Sequence, residues 1–284
     1  MIAMFQRNMK IFFRDRGNII FSLMGVLIIV GLYVLFLRHM WLYMFNDIDG
    51  ISQLVDEWVI AGILSIVSVT TTLGSFGILV NDKSSLVFKD MYSSPVSRLS
   101  IVGGYVMCAC VIGLLMSILA LVLGELSIVV FGGNALPLGD LNKTLAMLIL
   151  VSLTNTAKVM LITSFFSSST SYSSASGLIG TFIGFIAGVY MPIGMFPIGL
   201  RTVLELTPVF HASAVMRNVV MQHSLSNAFA MNPALNADDF KSIFGINVVI
   251  GNWKVPGSVS IAYLLITAAV CILITTFRLS QKKI

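Results

Sequence analysis

Six apolar runs, Ile19 to Leu37, Val59 to Val80, Ser100 to Val130, Thr144 to Phe166, Ala175 to Met191 and Val259 to Phe277, take up most of the chain and narrow its choice of fold. A helix needs about 20 apolar residues to cross a bilayer. With no water inside the hydrocarbon, backbone groups must be paired within the segment, and helices do that. The expectation is an all-α integral membrane protein with six transmembrane helices, forming a single permease-sized domain over residues 1–284. Only 10% of residues are charged, against about 25% in a soluble domain.

The net charge of +5 does not point to nucleic acid, because the basic residues gather at the ends of the runs, where topology requires them. Arg7, Lys10, Arg14 and Arg16 precede the first run. Lys83, Lys89 and Arg98 follow the second, and Arg278, Lys282 and Lys283 follow the last. With six crossings all three groups fall on one side, so both termini are expected in the cytoplasm. Asp47, Asp49, Asp56, Glu57, Asp140, Asp238 and Asp239 go to the other side. The first run exceeds the 7–15 apolar residues of a signal peptide and no A-x-A site follows, so it is read as a retained span. Cys108, Cys110 and Cys271 lie inside apolar runs and form no disulfide or metal framework. His39, His211 and His223 lack metal-ligand spacing. Neither a phosphate-binding loop nor a G-x-S-x-G elbow is present.

Gly188 to Arg217, GVYMPIGMFPIGLRTVLELTPVFHASAVMR, holds Pro192, Pro197 and Pro208. Each ring removes a backbone donor, so one continuous helix is not expected here, and the six-span count puts the segment, 190–217, on the external side. Pro192, Phe196, Pro197 and Pro208 are its candidate gate residues. Arg201, Glu205 and Arg217 are placed near the headgroups or an exit mouth. Just before it, Gly180, Gly184 and Gly188 repeat the small-xxx-small spacing that lets helices approach closely. Two readings stand, a subunit interface or packing within one chain. Ser164 to Ser176 reads as a cytoplasmic turn, and residues 221–255 as a polar external connector.

Residues 1–17 open with MFQRNMKIFFRDRG, where Phe5, Met9, Phe12 and Phe13 recur at helical spacing opposite Arg7, Lys10 and Arg14. This is an amphipathic helix for the cytoplasmic membrane surface. In the 81–98 loop, Ser84 or Ser85 caps a short helix that Pro95 stops. Leu86, Phe88, Met91 and Tyr92 are its apolar knobs. Glu125 and Lys158 fall within runs and are functional candidates by default. Their depths differ too much for a direct pair.

Taken in order, the amphipathic start, Asp82-Lys83 followed by Ser94-Pro95-Val96, and MPIGMFPIGLRTVLELTP before the last run resemble the membrane subunit of type-2 ABC exporters. The resemblance covers nearly the whole chain. It implies that Ser84 to Ser94 is a coupling helix seated in a separate ATP-binding cassette subunit, through Ser85, Leu86, Phe88, Lys89, Met91, Tyr92 and Pro95. It further implies that the N-terminal helix rests beside the same partner and that Tyr190 to Arg217 forms paired re-entrant helices. A second permease copy, identical or paralogous, is expected across the glycine ridge and span one. The chain itself needs no cofactor; ATP and Mg belong to the partner. Compact loops resemble the drug and antibiotic-peptide branch of bacterial cell-membrane exporters.

The expected function is a translocation path for a hydrophobic or amphiphilic substrate, with Met and Phe suited to varied shapes. The alternative is a secondary transporter driven by an ion gradient, for which Glu125, Lys158 and the broken segment speak. A non-transport scaffold is a third class.

Overall fold

A computed structural model describes residues 1–44, 50–85, 87–93, 95–231, 236–251 and 253–281. Leu86, Ser94, Asp47, Asp49, Lys282 and Lys283 lie outside the described residues. The elements run α1 (Ile2–Arg14), α2 (Arg16–Leu32), a π-helical turn (Tyr33–Leu37), α3 (Arg38–Met44), α4 (Ile51–Ser84), α5 (Val87–Ser93), α6 (Arg98–Val130) and α7 (Leu138–Thr163). They continue with α8 (Ser169–Ile186), a 3-10 turn (Ile193–Met195), α9 (Ile198–Glu205), α10 (Pro208–Val220), α11 (Gln222–Met231) and α12 (Ala237–Ile243). Two short strands, β1 (Val248–Ile250) and β2 (Trp253–Val255), precede α13 (Gly257–Gln281).

Five stretches among the described residues are long and apolar enough to cross a membrane: Val26–Met44, Ile51–Ser84, Leu99–Val130, Leu138–Thr163 and Gly257–Arg278. The first lies further along than the expected Ile19 to Leu37. Its end tolerates Arg38 because Asp56 of α4 takes the guanidinium at 2.9 and 3.1 Å, and the Tyr33 hydroxyl donates to the same carboxylate. The third is one unbroken helix, capped by Ser97, whose hydroxyl accepts from the Ser100 N–H.

The run expected from Ala175 to Met191 becomes α8, which starts earlier and stops sooner. Ser168 caps its start. Its end is a Schellman motif, in which Gly188 at φ 64° lets the Val189 N–H reach the Gly184 carbonyl at 2.8 Å and the Gly188 N–H reach that of Phe185 at 3.0 Å. Gly188 is therefore a helix terminator. Its place in the glycine spacing does not make it a packing residue of a longer span.

The helix at the centre is α4, buried along nearly all of its 34 residues. At ~1.5 Å per residue it is about 51 Å long, so it reaches past the hydrocarbon at both ends. Around it pack α2, α6, α7, α8 and α10. Glycines set the closest approaches: a side chain at Gly113 would meet Thr72 at 2.9 Å, and one at Gly124 would meet Ile60 at 2.8 Å. Hydroxyls also join the helices. Tyr172 of α8 donates to the Leu73 carbonyl at 2.7 Å, and Asn155 of α7 donates to the Ser65 carbonyl and the Ser68 hydroxyl.

The 221–255 segment is not the bland connector expected, and it makes the fold not purely helical. Here β1 pairs with β2 in antiparallel register, Val248 opposite Val255 and Ile250 opposite Trp253. Phe244 follows α12 and is fully buried against Trp41 and Trp58, edge to face, while the Trp58 indole N–H donates to the Phe244 carbonyl at 2.7 Å. An aromatic cluster thus pins this segment to α3 and α4. Burying such rings is worth about 0.5–1.5 kcal/mol per pair beyond area.

Candidate functional site

Chemistry-bearing side chains gather at three places along α4. The first is its C-terminal end. There the Arg7 guanidinium of α1 grips Asp82 in a fork at 2.7 and 3.0 Å, and the Tyr105 hydroxyl of α6 donates to the same carboxylate at 2.5 Å. The hydrogen bond from Arg7 to Asp82 holds the Arg7 pKa above its usual value. Helix α1 comes close enough because α6 offers Gly103 and Gly104; a Cβ on Gly104 would stand 2.5 Å from that of Met4.

Phe12 is buried, and Phe5 and Met9 pack partly against the same core. Phe13 is exposed, as are Lys10 and Arg14. The apolar face expected to lie bare on lipid is thus largely spent on the bundle. A helix wheel shows which residues share a face; the partner for that face comes from the glycines of another helix.

Beside this latch, α5 departs from its expected role in part. Phe88 is only 6% exposed and packs on Tyr105, and Met91 touches the Tyr105 hydroxyl through its sulfur. These two knobs hold the short helix onto the bundle, Phe88 buried and Met91 half-buried. Among the described residues of α5 and the turn after it, Asp90, Ser93, Pro95, Val96 and Ser97 are exposed, as is Leu99 in the first turn of α6. Ser84 and Ser85 do not cap α5. Both hydroxyls donate back to the Asn81 carbonyl and close α4, a local bond that competes with capping. The side chains of Lys89 and Tyr92 lie outside the described ones.

The second place is a groove of about 780 Å³ between α2, α4 and α8. Its floor is made of Gly74, Gly77, Gly177 and Gly180, its walls include Met24 and Leu73, and Asp15 and Tyr190 line it as well. Gly177 and Gly180 meet no other atoms within 4 Å of a built Cβ. Gly184 is different, since the Tyr190 ring of the same chain would lie 2.4 Å from its Cβ. Of the three expected interface glycines, only Gly180 is open. We expect Gly184→Ala to lower stability in detergent by about 1–3 kcal/mol, and Tyr190→Ala to restore most of it in the double variant. Thermal unfolding of the four proteins checks this; additive losses would mean that the two residues do not meet.

The third place is the hairpin. Pro192 and Pro197 precede the 3-10 turn and α9, and Pro208 is the first residue of α10, whose cap is Thr207. Proline suits these positions because the missing N–H is an orphan there in any case. Phe196 is partly buried against the apolar cluster that contains Ile193 and Phe210. Arg201 pairs with buried Glu205 at 3.0 Å.

Arg217 is the largest departure. Expected at a headgroup or an exit mouth, it is 0% exposed. Its Nη2 donates to the Ala187 and Gly188 carbonyls at 3.1 and 2.8 Å, its Nη1 to that of Gly245 at 3.4 Å, and the group lies 4.9 Å over the Trp58 ring. The carbonyls at a helix C-terminus carry partial negative charge, which is why a cation without a carboxylate is stable here. The one sequence signal was its position nine residues after Pro208, on the buried face of α10.

Glu125 and Lys158 do not pair. A Glu125 oxygen accepts the Leu136 N–H at 2.9 Å, while the Lys158 ammonium is enclosed without a hydrogen-bond partner among the described residues. Sequence reasoning missed Asp82, Tyr105 and the α4 hydroxyls as a working set. The run Ser65 to Ser75, with a serine or threonine at nearly every turn of an apolar helix, was the available signal. Comparison with known families finds that the sequence model described as ABC-2 family transporter protein matches residues 42–277. No curated protein matches.

Proposed function

We propose, from the premise that the chain belongs to the ABC-2 transporter family and is a multi-pass membrane protein, that it is the path-forming permease of an ATP-driven exporter for hydrophobic or amphiphilic molecules. The drug or antibiotic-peptide branch in a bacterial cell membrane is the reading preferred here, with both termini in the cytoplasm. The observation that carries the proposal is the α2–α4–α8 groove. It has an apolar wall, a glycine floor and scattered hydroxyls, and it runs beside the central helix α4.

In this reading α8 is a sixth crossing, although its first half is rich in serine. A second copy closes the groove over Gly177 and Gly180, and the α9–α10 hairpin gates its outer end. Energy comes from a separate ATP-binding subunit that meets the α5 loop at Pro95 and Val96 and abuts α1. Closure of two such subunits would push on α5. Because Phe88 and Met91 seat α5 on Tyr105, the push passes into α6 and, through Asp82, into α4 and α1.

The test is co-purification. An untagged ATP-binding subunit encoded beside this chain is expected to follow the tagged permease, and Val96→Glu to reduce its recovery at least about tenfold, since a buried unpaired charge costs several kcal/mol. Substrate movement in liposomes driven by an ion gradient, with no ATP-binding subunit present, would overturn the proposal in favour of a secondary transporter.

A further inference from the structure

At the end of the bundle away from the α5 loop, Gln53 and Glu57 sit one turn apart on the α4 face that meets α6. A built Cβ on Gly124 of α6 lies 2.8 Å from Ile60, one turn further along the same face, which brings Glu125 to this seam. Glu57 is only 2% exposed. Its Oε1 accepts the Ser224 hydroxyl of α11 at 2.5 Å and the Gln53 amide at 2.8 Å. Its Oε2 is buried and has no donor among the described residues. Glu125 repeats the pattern, with Oε2 on the Leu136 N–H and Oε1 buried and unpartnered. Glu125 meets the 134–136 turn directly and Glu57 through Gln53, whose amide also donates to the Asn134 carbonyl at 3.1 Å.

Two unneutralised carboxylates in one buried place cost several kcal/mol. Two basic residues at this end, Arg38 and Lys143, are already committed, to Asp56 and Asp140. A proton shared between the two free oxygens is the rival arrangement, and calcium titration separates it from a cation. A cation between them satisfies both. The remaining groups nearby are oxygens too: the Ser224 hydroxyl, the Gln53 amide oxygen and the Asn134 carbonyl. Carboxylate, hydroxyl, amide and carbonyl oxygens make a hard donor set that suits calcium better than zinc or copper. With only two carboxylates it falls short of a group of three His, Cys, Asp or Glu, of which there is none among the described residues. Asn134 is exposed, which gives an ion a route in.

We propose that Glu57 and Glu125 bind a divalent, oxygen-seeking cation of the calcium class, which ties α11 and the 134–136 turn to the α4–α6 seam. The inference does not depend on what the permease carries. The test uses the full chain in detergent after treatment with EDTA, with calcium chloride as probe, read by thermal unfolding and titration calorimetry. One ion per chain is expected, with a rise in unfolding temperature of ~5 °C at saturation, since a ligand held only by the folded state stabilises it. Glu57→Gln and Glu125→Gln each keep an acceptor for the present donor, so both are expected to fold and to bind at least about tenfold more weakly. The proposal is overturned if calcium gives no shift up to millimolar concentration, or if Glu125→Gln shifts as much as the wild type. It is equally overturned if the glutamine variants exceed the wild type in stability while the wild type binds no ion, the outcome of a shared proton.

Discussion

Arg217→Met is expected to cost about 3–5 kcal/mol, enough to prevent recovery of folded protein in most detergents. The reason is arithmetic on hydrogen bonds. Methionine fills the volume but donates nothing, so the Gly188 and Gly245 carbonyls lose their Arg217 donor, and Ala187 keeps only the Ser213 hydroxyl at 2.9 Å. The contact over Trp58 goes as well. Arg217→Lys is expected to recover less than half of the loss, because one ammonium cannot span carbonyls from three residues as a planar fork does. Unfolding midpoints of the three proteins check this. A methionine variant within about 1 kcal/mol of the wild type would mean that water reaches those carbonyls, and that Arg217 does not hold the hairpin to α8.

Asp82→Ala carries the second large effect, about 2–3 kcal/mol, concentrated in α1. It removes the acceptor of both Arg7 and Tyr105. Arg7 is partly exposed and can turn to water, whereas Tyr105 is buried and cannot. Helix α1 should then be cut by protease while the rest of the chain stays protected. Exchanging the charges, Arg7→Asp with Asp82→Arg, is expected to restore protection in part. Equal protection of α1 in Asp82→Ala would show that the Gly103–Gly104 contact suffices. In the proposed complex the same variant should hydrolyse ATP with weakened transport, since α1 and α4 would no longer move together.

How much of this was legible depends on the length scale of each cause. A crossing helix is about twenty apolar residues in a row, so Val59 to Val80 and Val259 to Phe277 fall within α4 and α13. Where one residue decides, the sequence is ambiguous. Gly188 fits a packing ridge and a helix C-cap equally well on paper, and only the path of the chain after Ala187 selects the second. Arg217 fits a headgroup as well as a buried cap, because the carbonyls it serves belong to residues about thirty positions away on either side.

The β-hairpin had a local signal, Gly251-Asn252 between Val248-Val249-Ile250 and Trp253-Lys254-Val255, outweighed by the polarity of the segment around it. Phe88 and Met91 show a further limit. Helical spacing identifies an apolar face of α5, but Tyr105, which covers it, comes from another helix.

The π-helical turn at Tyr33–Leu37 has a consequence for deletions in the first span. Tyr33 and Arg38 are five residues apart, and on an α-helix, at about 100° per residue, they would diverge by roughly 140°. Both nonetheless reach the one carboxylate of Asp56. A wider turn brings residues i and i+5 into line, so the bulge acts as a one-residue insertion that Asp56 keeps in place. Removing Leu35 should collapse it to an α-turn, set tyrosine and arginine four apart on a common face, and leave both bonds to Asp56 intact. Because Tyr33 keeps its place on Asp56, everything before the deletion would keep its facing, and α1 its bed on Gly103 and Gly104. A deletion elsewhere in the span would turn it by about 100°.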